Sequence, residues 1–147
     1  MYKIRQANTQ DIPRILELLQ DAGLSQSGVD QHLHTFFIVE DEGNRSKLAG
    51  SAGMEIYQEN ALLRSFVLKQ GAWNDVGLQL FKYLFLWAKQ HRVKNLYLLA
   101  GVSPTFFQLL GFQPVSWTEV PSSIKNSEHL QQIDSSARER LHFLQLS

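Results

Sequence analysis

Three residues near the middle of the chain bring acid–base and charge chemistry together at short spacing. Glu55 and Tyr57 are two apart, and on an extended strand that spacing puts both side chains on one side. Arg64 follows after Gln58-Glu59-Asn60, a polar stretch that predicts a tight turn, so it falls on the neighbouring strand. A carboxylate and a guanidinium placed this way could bind the ammonium and carboxylate of an amino acid, with Glu55 taking a proton through water. The same two residues would also make an ordinary cross-strand ion pair on a solvated sheet face. Glu59, in the turn, is a weaker candidate base. His32 and His34 form a His-x-His pair at a helix–strand junction. There is no HExxH spacing and no cysteine, so surface histidines are expected there and no metal site. The absence of cysteine also removes a thiolate nucleophile and a disulfide framework.

The elements that must position these groups follow from the apolar pattern. Strands are expected at 2–6, 35–40, 48–57 and 61–68, the last three as an antiparallel meander. Gly50 and Gly53 weaken the case for the third strand. A helix is expected from about residue 9, with Thr9 as N-cap, Asp11 at its positive end, Pro13 in its first turn and Gly23 as C-cap. Residues 25–33 are weakly helical. Asp75 to His91 predicts a strong helix, with Val76, Leu80, Tyr83, Leu84 and Trp87 on one face and Phe81, Phe85 and Leu86 widening it. A strand at 95–100 then implies a parallel pair with a right-handed crossover. A short helix capped by Ser103 and ending at Leu110-Gly111, a strand at 112–117, a loosely helical stretch at 122–133 and a strand at 138–146 complete the chain. Trp73, Trp87 and Trp117 are expected as core or loop cover.

Composition narrows the function classes. The 147 residues are 44% hydrophobic and 19% charged, which suits one folded domain over 1–147. Fourteen Lys+Arg balance fourteen Asp+Glu, leaving no cationic surplus for nucleic acid. The N-terminus has no apolar run, and the longest apolar region, 78–88, is interrupted by Gln79 and Lys82 and is too short for a bilayer. A soluble cytoplasmic protein with no membrane association is expected.

This element order resembles that of the GNAT N-acetyltransferases along nearly the full chain. Four stretches carry the resemblance: Ile4-Arg5-Gln6-Ala7-Asn8 with Asp11-Ile12, Leu62-Leu63-Arg64-Ser65-Phe66-Val67, the loop and helix from Gly71 through Leu84, and Phe106-Phe107-Gln108-Leu109-Leu110-Gly111-Phe112. Within that superfamily, Glu55-Ile56-Tyr57, Ala61-Leu62-Leu63-Arg64-Ser65, Leu96-Tyr97-Leu98-Leu99 and Glu119-Val120-Pro121 are similar to the small acetyltransferases of arsenic-resistance operons and to the acetyltransferase half of N-acetylglutamate synthases. Where those relatives often carry Cys-Pro, this tail reads Ile133-Asp134-Ser135-Ser136-Ala137. The implied fold is a single α/β (α+β) domain, a mixed, largely antiparallel central sheet with helices on both faces.

The resemblance implies acetyl transfer from acetyl-CoA to a small, amino-acid-like amine by direct attack. Glu55, Tyr57 and Arg64 then fall near the acceptor. Phe66, Val67 and Leu68 fall along the pantetheine, in the gap where this strand splays from that of Leu96, with an N–H near Val67 polarising the thioester. The pyrophosphate would meet Ala72-Trp73-Asn74-Asp75-Val76-Gly77. Here the chain departs from the family's Arg/Gln-x-x-Gly-x-Gly/Ala. Ala72 replaces the Arg and Asp75 the first Gly, so Asn74 or Asp75 could instead simply cap a buried helix. Lys69 could supply the missing charge. Phe106 and Phe107 also fall at the cofactor site, and Phe107 holds the slot of the family's proton-donating Tyr. Ser103 and Tyr97 are conceivable donors, against simpler roles as a helix cap and a half-buried sheet residue. The rival expectation is a GNAT-like binding or regulatory module with little acetyl transfer. A third is a structural homodimer using the apolar C-terminal strands.

Overall fold

Alternation of apolar and polar residues over Tyr2–Gln6 forms the first strand, β1, as the pattern predicts. The structure, a computed structural model, describes residues 1–69, 75–100 and 105–146. Six further strands follow: β2 (Phe37–Asp41), β3 (Leu48–Tyr57), β4 (Asn60–Leu68), β5 (Asn95–Leu99), β6 (Gln113–Pro114) and β7 (Leu141–Gln145). The helices are α1 (Ile12–Asp21), α2 (Asp75–Gln90), α3 (Thr105–Leu109), α4 (Ser122–Lys125) and α5 (Glu128–Gln131). The seven strands form one sheet in the order β1-β2-β3-β4-β5-β7-β6. The β4–β5 pair is parallel, with Leu62 opposite Tyr97 the last registered pair. The β1–β2, β2–β3, β5–β7 and β6–β7 pairs are antiparallel. This is the expected mixed, largely antiparallel α/β sheet. Among the described residues, no helix is long and apolar enough to cross a membrane.

Contacts divide the chain into two compact units. The first is Met1–Met54 with Ser65–Trp87. Its core gathers Ile15, Leu18 and Leu19 of α1 with Val29, Leu33, Phe36, Ile38 and Leu48. Each such side chain contributes about 1.5–3 kcal/mol when withdrawn from water. The cap of the first helical segment is Asn8 rather than Thr9. Asn8 accepts from the Gln10 N–H, and Asp11 accepts from the Asn8 N–H at 2.8 Å. This closes a reciprocal capping box around a short 3-10 turn before α1. Gly23 ends α1 as predicted, at φ +72. The Leu24 N–H reaches Leu19 O and the Gly23 N–H reaches Gln20 O, the hydrogen-bond pattern of a Schellman cap. Residues 25–33 form turns rather than a helix, and a 3-10 turn at Leu33–Thr35 leads into β2.

The glycines of β3 do not weaken it. Gly50 lies so close to Val67 O that a Cβ there would stand 2.8 Å from it, and a Cβ on Gly53 would overlap the Phe36 ring. Only glycine lets those groups pack onto the strand. In β4, Ser65 has φ +59, a left-handed backbone inside a strand. The Ser51 hydroxyl holds it by donating to Ser65 O at 2.8 Å. Such a residue breaks the pleat and bends the strand.

The second unit is Glu55–Arg64 with Ala88–Ser147. Its core joins Leu62, Tyr97, Val120, Ile124, Leu130 and Leu141, with Tyr57, Trp117 and Phe143 packed against it. Two sequence expectations need correcting here. The strand expected at 112–117 is only two residues long, because Pro114 has no N–H to extend the ladder. The chain then turns at Trp117–Glu119. The last strand starts at Leu141, since Asp134 accepts from the Ser136 N–H and starts a 3-10 turn over Ser135–Arg140. β7 is paired on both sides, by β5 and β6.

Candidate functional site

Glu55 sits near the end of β3 and Arg64 within β4. The turn between them bends at Gln58, φ +60. Arg64 Nη1 donates to Glu55 Oε2 at 2.8 Å. The two side chains are 0% and 1% exposed, so the cross-strand ion pair forms, but on a buried rather than a solvated face. The pair is buried because the chain around α4 and α5 packs on the apolar face formed by Leu62 and Tyr57.

Tyr57 lies on the same side of β3 as Glu55, as its spacing predicts. Its hydroxyl donates to Glu55 Oε1 at 2.5 Å. Burial, then the Glu55 carboxylate, push the Tyr57 hydroxyl above its ordinary range, while a hydrogen bond from the Glu128 backbone opposes the shift. Tyr57 therefore stays a neutral donor at physiological pH. The backbone N–H of His129, in α5, lies 3.5 Å from Glu55 Oε1. The Ser127 hydroxyl accepts from the Leu130 N–H at 3.4 Å and fixes this one-turn helix. The structure thus gathers Glu55, Tyr57, Arg64 and the start of α5 into one cluster. An ion pair this deeply buried loses hydration and is weak evidence of stabilisation. Buried, interacting ionisable groups are the usual material of functional sites.

His129 is the cluster residue that sequence reasoning missed. Its ring Nδ1 is buried and has no hydrogen-bond partner. Burial, and then the Arg64 guanidinium, lower its pKa from 6.5 to about 4, against the pull of Glu55. The imidazole is therefore neutral at pH 7. A lone histidine between Glu128 and Leu130 carries no sequence signal, because its neighbour in space lies 74 positions away.

The remaining sequence candidates fall elsewhere. Phe66 and Val67 are half-buried and Leu68 is buried at the end of β4. Asp75, Val76 and Gly77 open α2, with Asp75 exposed, Val76 half-buried and Gly77 buried. Ala72, Trp73, Asn74 and Ser103 lie outside the described residues. Phe107 is buried and makes edge-to-face contacts with Phe106 and Phe112, at 5.3 and 6.2 Å between ring centroids. Its ring, which has no hydroxyl, is part of an aromatic cluster. Tyr97 is buried rather than half-buried, packs against Phe143 in a tilted ring contact at 5.1 Å, and is pushed up in pKa by that burial. Trp117 lies under Arg138, 4.3 Å from the ring centroid, and Lys125. His34 is exposed and faces Trp87 at 6.1 Å.

In the first unit, Asp11 is the one deeply buried carboxylate of a second charge cluster. Arg5 donates to both of its oxygens at 2.8 Å, and Arg14 donates to Oδ1 at 2.8 Å. Burial favours the neutral acid, but Arg5, the Asn8 N–H and Arg14 together outweigh it and hold Asp11 at about 2. Each of its oxygens is committed to internal partners, and the cluster ties β1 to the start of α1.

No family model matches the chain. The uncharacterized protein YwlB of Bacillus subtilis (strain 168) is 28% identical over 131 residues, covering 87% of this chain and 86% of YwlB. Among solved structures, N-acetylglutamate synthase from Neisseria gonorrhoeae, complexed with coenzyme A and N-acetyl-glutamate, matches 100% of this chain with TM-score 0.79 at 22% identity. The chain spans 35% of that synthase's length. A GNAT-family acetyltransferase from Staphylococcus aureus Mu50 matches over 100% of both chains with TM-score 0.74 at 14% identity. Together with the β1–β7 topology, these matches show that the chain has the fold of the GNAT acetyltransferases.

Proposed function

We propose that the chain is an acetyl-CoA-dependent N-acetyltransferase acting on a small, amino-acid-like amine by direct attack. One observation carries this reading: the whole chain superposes on a synthase complexed with coenzyme A and N-acetyl-glutamate. The buried Glu55–Tyr57–Arg64 cluster supports it, because an amino-acid acceptor needs both a proton acceptor and a cation. In this proposal acetyl-CoA is a co-substrate that supplies the activated acetyl group. Phe66, Val67 and Leu68 flank its pantetheine, and the start of α2, at Asp75, Val76 and Gly77, meets its pyrophosphate. Arg64 orients the acceptor carboxylate. Glu55, positioned by Tyr57, takes the ammonium proton through water. The amine nitrogen then bonds to the acetyl carbonyl carbon, the carbon–sulfur bond breaks, and the sulfur leaves as a thiolate that takes up the second proton shed by the nitrogen.

Glu55→Gln keeps the shape of the side chain and removes the base. It should lower amine-dependent thiol release by about 10²–10⁴-fold and leave acetyl-CoA affinity unchanged. Equal turnover would remove Glu55 from the mechanism. A second reading is a binding or regulatory module of the same fold. The exposed Asp75 carboxylate in the first turn of α2 and the Phe107 ring favour it. Acetyl-CoA binding with no amine-dependent thiol release would decide for that reading.

A further inference from the structure

We infer that His129, through its buried Nδ1, is the hydrogen-bond acceptor for the N–H of the acceptor amine, and so a specificity-determining residue of the site. The inference rests on the acetyltransfer reading and extends it to a residue that neither sequence motif nor fold likeness marks. Its starting point is an orphan. The large majority of buried polar side-chain atoms in folded proteins have a hydrogen-bond partner. Among the described residues, His129 Nδ1 is the buried side-chain nitrogen or oxygen without a hydrogen-bond partner. Such an atom is destabilising unless something arrives to satisfy it.

The surroundings indicate what that partner is. The two carboxylate oxygens of Glu55 are occupied. Glu55 Oε2 takes the Arg64 N–H, and Oε1 takes the Tyr57 hydroxyl and faces the His129 N–H. The imidazole itself is neutral, held so by burial and by Arg64, and thus has one N–H and one lone pair. Only Nδ1 is both buried and unpaired. A buried, unpaired N–H is rarer than an under-satisfied acceptor. The proton therefore belongs on Nε2, and the lone pair on Nδ1. An amine or ammonium offers N–H donors, and an ammonium has no acceptor of its own, so it needs an acceptor of this kind. A neutral imidazole can take a hydrogen bond from it without adding charge beside Arg64. The main chain holds the ring in place, since the His129 N–H abuts Glu55 and Ser127 caps the turn.

In this role His129 orients the amine and does not store its proton. A group that titrates near pH 4 is a poor resting place for a proton taken from an ammonium at neutral pH. Holding one N–H directs the nitrogen lone pair, once the proton has gone through water to Glu55, toward the carbonyl carbon.

The test uses the full chain in two arms. The first follows the His129 ring nitrogens by NMR on ¹⁵N-histidine-labelled protein at pH 7. The common L-amino acids are then added one at a time, with and without acetyl-CoA. The expected result is a neutral ring with its proton on Nε2 and an Nδ1 resonance that moves when one amine binds. A proton on Nδ1, or an Nδ1 resonance that no amine moves, overturns the inference; the latter is also what a permanently bound water would give. The second arm measures amine-dependent thiol release in His129→Ala, His129→Asn and His129→Gln. Asn can place an amide oxygen near the Nδ1 position, whereas Gln places it nearer Nε2. The Ala variant should lose about 10- to 100-fold in kcat/KM for the amine, with acetyl-CoA affinity unchanged. Asn should recover most of that loss and Gln little. An Ala variant with unaltered kcat/KM overturns the inference, as does equal failure of Asn and Gln in folded protein. If the unmodified protein releases no thiol with any amine, the acetyltransfer reading fails by itself, and the NMR arm alone decides whether His129 binds an amine.

Discussion

Replacing Arg64 by Met would remove the cation from a pair whose side chains are 0% and 1% exposed. Glu55 would be left buried, with a hydroxyl partner but no counter-charge. Breaking a buried pair from one side costs about 3–5 kcal/mol. With a urea slope near 2 kcal/mol/M, a loss of about 4 kcal/mol lowers the unfolding midpoint by roughly 2 M. Glu55→Leu should cost a similar amount by stranding Arg64. The double variant Glu55→Leu/Arg64→Met removes both charges and should recover most of the loss. What remains is the Tyr57 hydroxyl without its carboxylate acceptor, worth about 1–3 kcal/mol, and adding Tyr57→Phe should remove that too. Equilibrium urea unfolding of the five proteins at pH 7 gives every term. If each single variant lies within about 1 kcal/mol of the parent, the pair behaves like an exposed one and the burial argument is wrong. If the double variant loses the sum of the singles, the two groups are not coupled.

Three further outcomes are expected. Asp11 titrates at about 2 when folded against an ordinary 3.8, so between those values the unfolded chain binds more protons. Its contribution, about 2 kcal/mol, is therefore complete above about pH 5 and is lost as the pH falls through about 2; Asp11→Asn should flatten the stability profile across that window, and an unchanged slope would contradict the assignment. Gly111 has φ +105, so Gly111→Val should cost about 1–3 kcal/mol, and an unaltered Tm would refute the strained geometry. Ala72→Arg with Asp75→Gly should tighten acetyl-CoA binding by about 10- to 100-fold and steepen its salt dependence; tight binding by the parent with no gain in the variant would place the pyrophosphate on another residue, Lys69 first.

The sheet was legible in the sequence wherever polar turns bound the strands. Asp41 to Ser46 and Gln58-Glu59 mark the ends of β3, and its bounds, Leu48–Tyr57, match the expectation. By type alone, Gly50 and Gly53 are weak strand residues. Their value lies in what presses on them, Val67 O and the Phe36 ring, and that is tertiary information. Asn8 and Thr9, side by side, are both cap-forming types. The N-x-x-D box that settles the choice was nevertheless present in the sequence. The 112–117 stretch has strand-like composition, but Pro114 ends the ladder and Phe112 is buried in an aromatic cluster.

The site was legible in half. Glu55, Tyr57 and Arg64 could be placed together by strand period and turn length alone. Their burial could not, because it depends on α4 and α5, which lie far along the chain, at Ser122–Lys125 and Glu128–Gln131, folding over them. His129 arrives by the same route.

The most direct test of the central claim is product formation. The protein is incubated with acetyl-CoA and each common L-amino acid, and both the free thiol and the mass of the amino acid are measured. Acetyl transfer predicts one amino acid gaining a single acetyl group in equal amount to the thiol released, with neither appearing when protein is left out. Thiol release without an acetylated amine, or no release with any amine while acetyl-CoA binds, would contradict it.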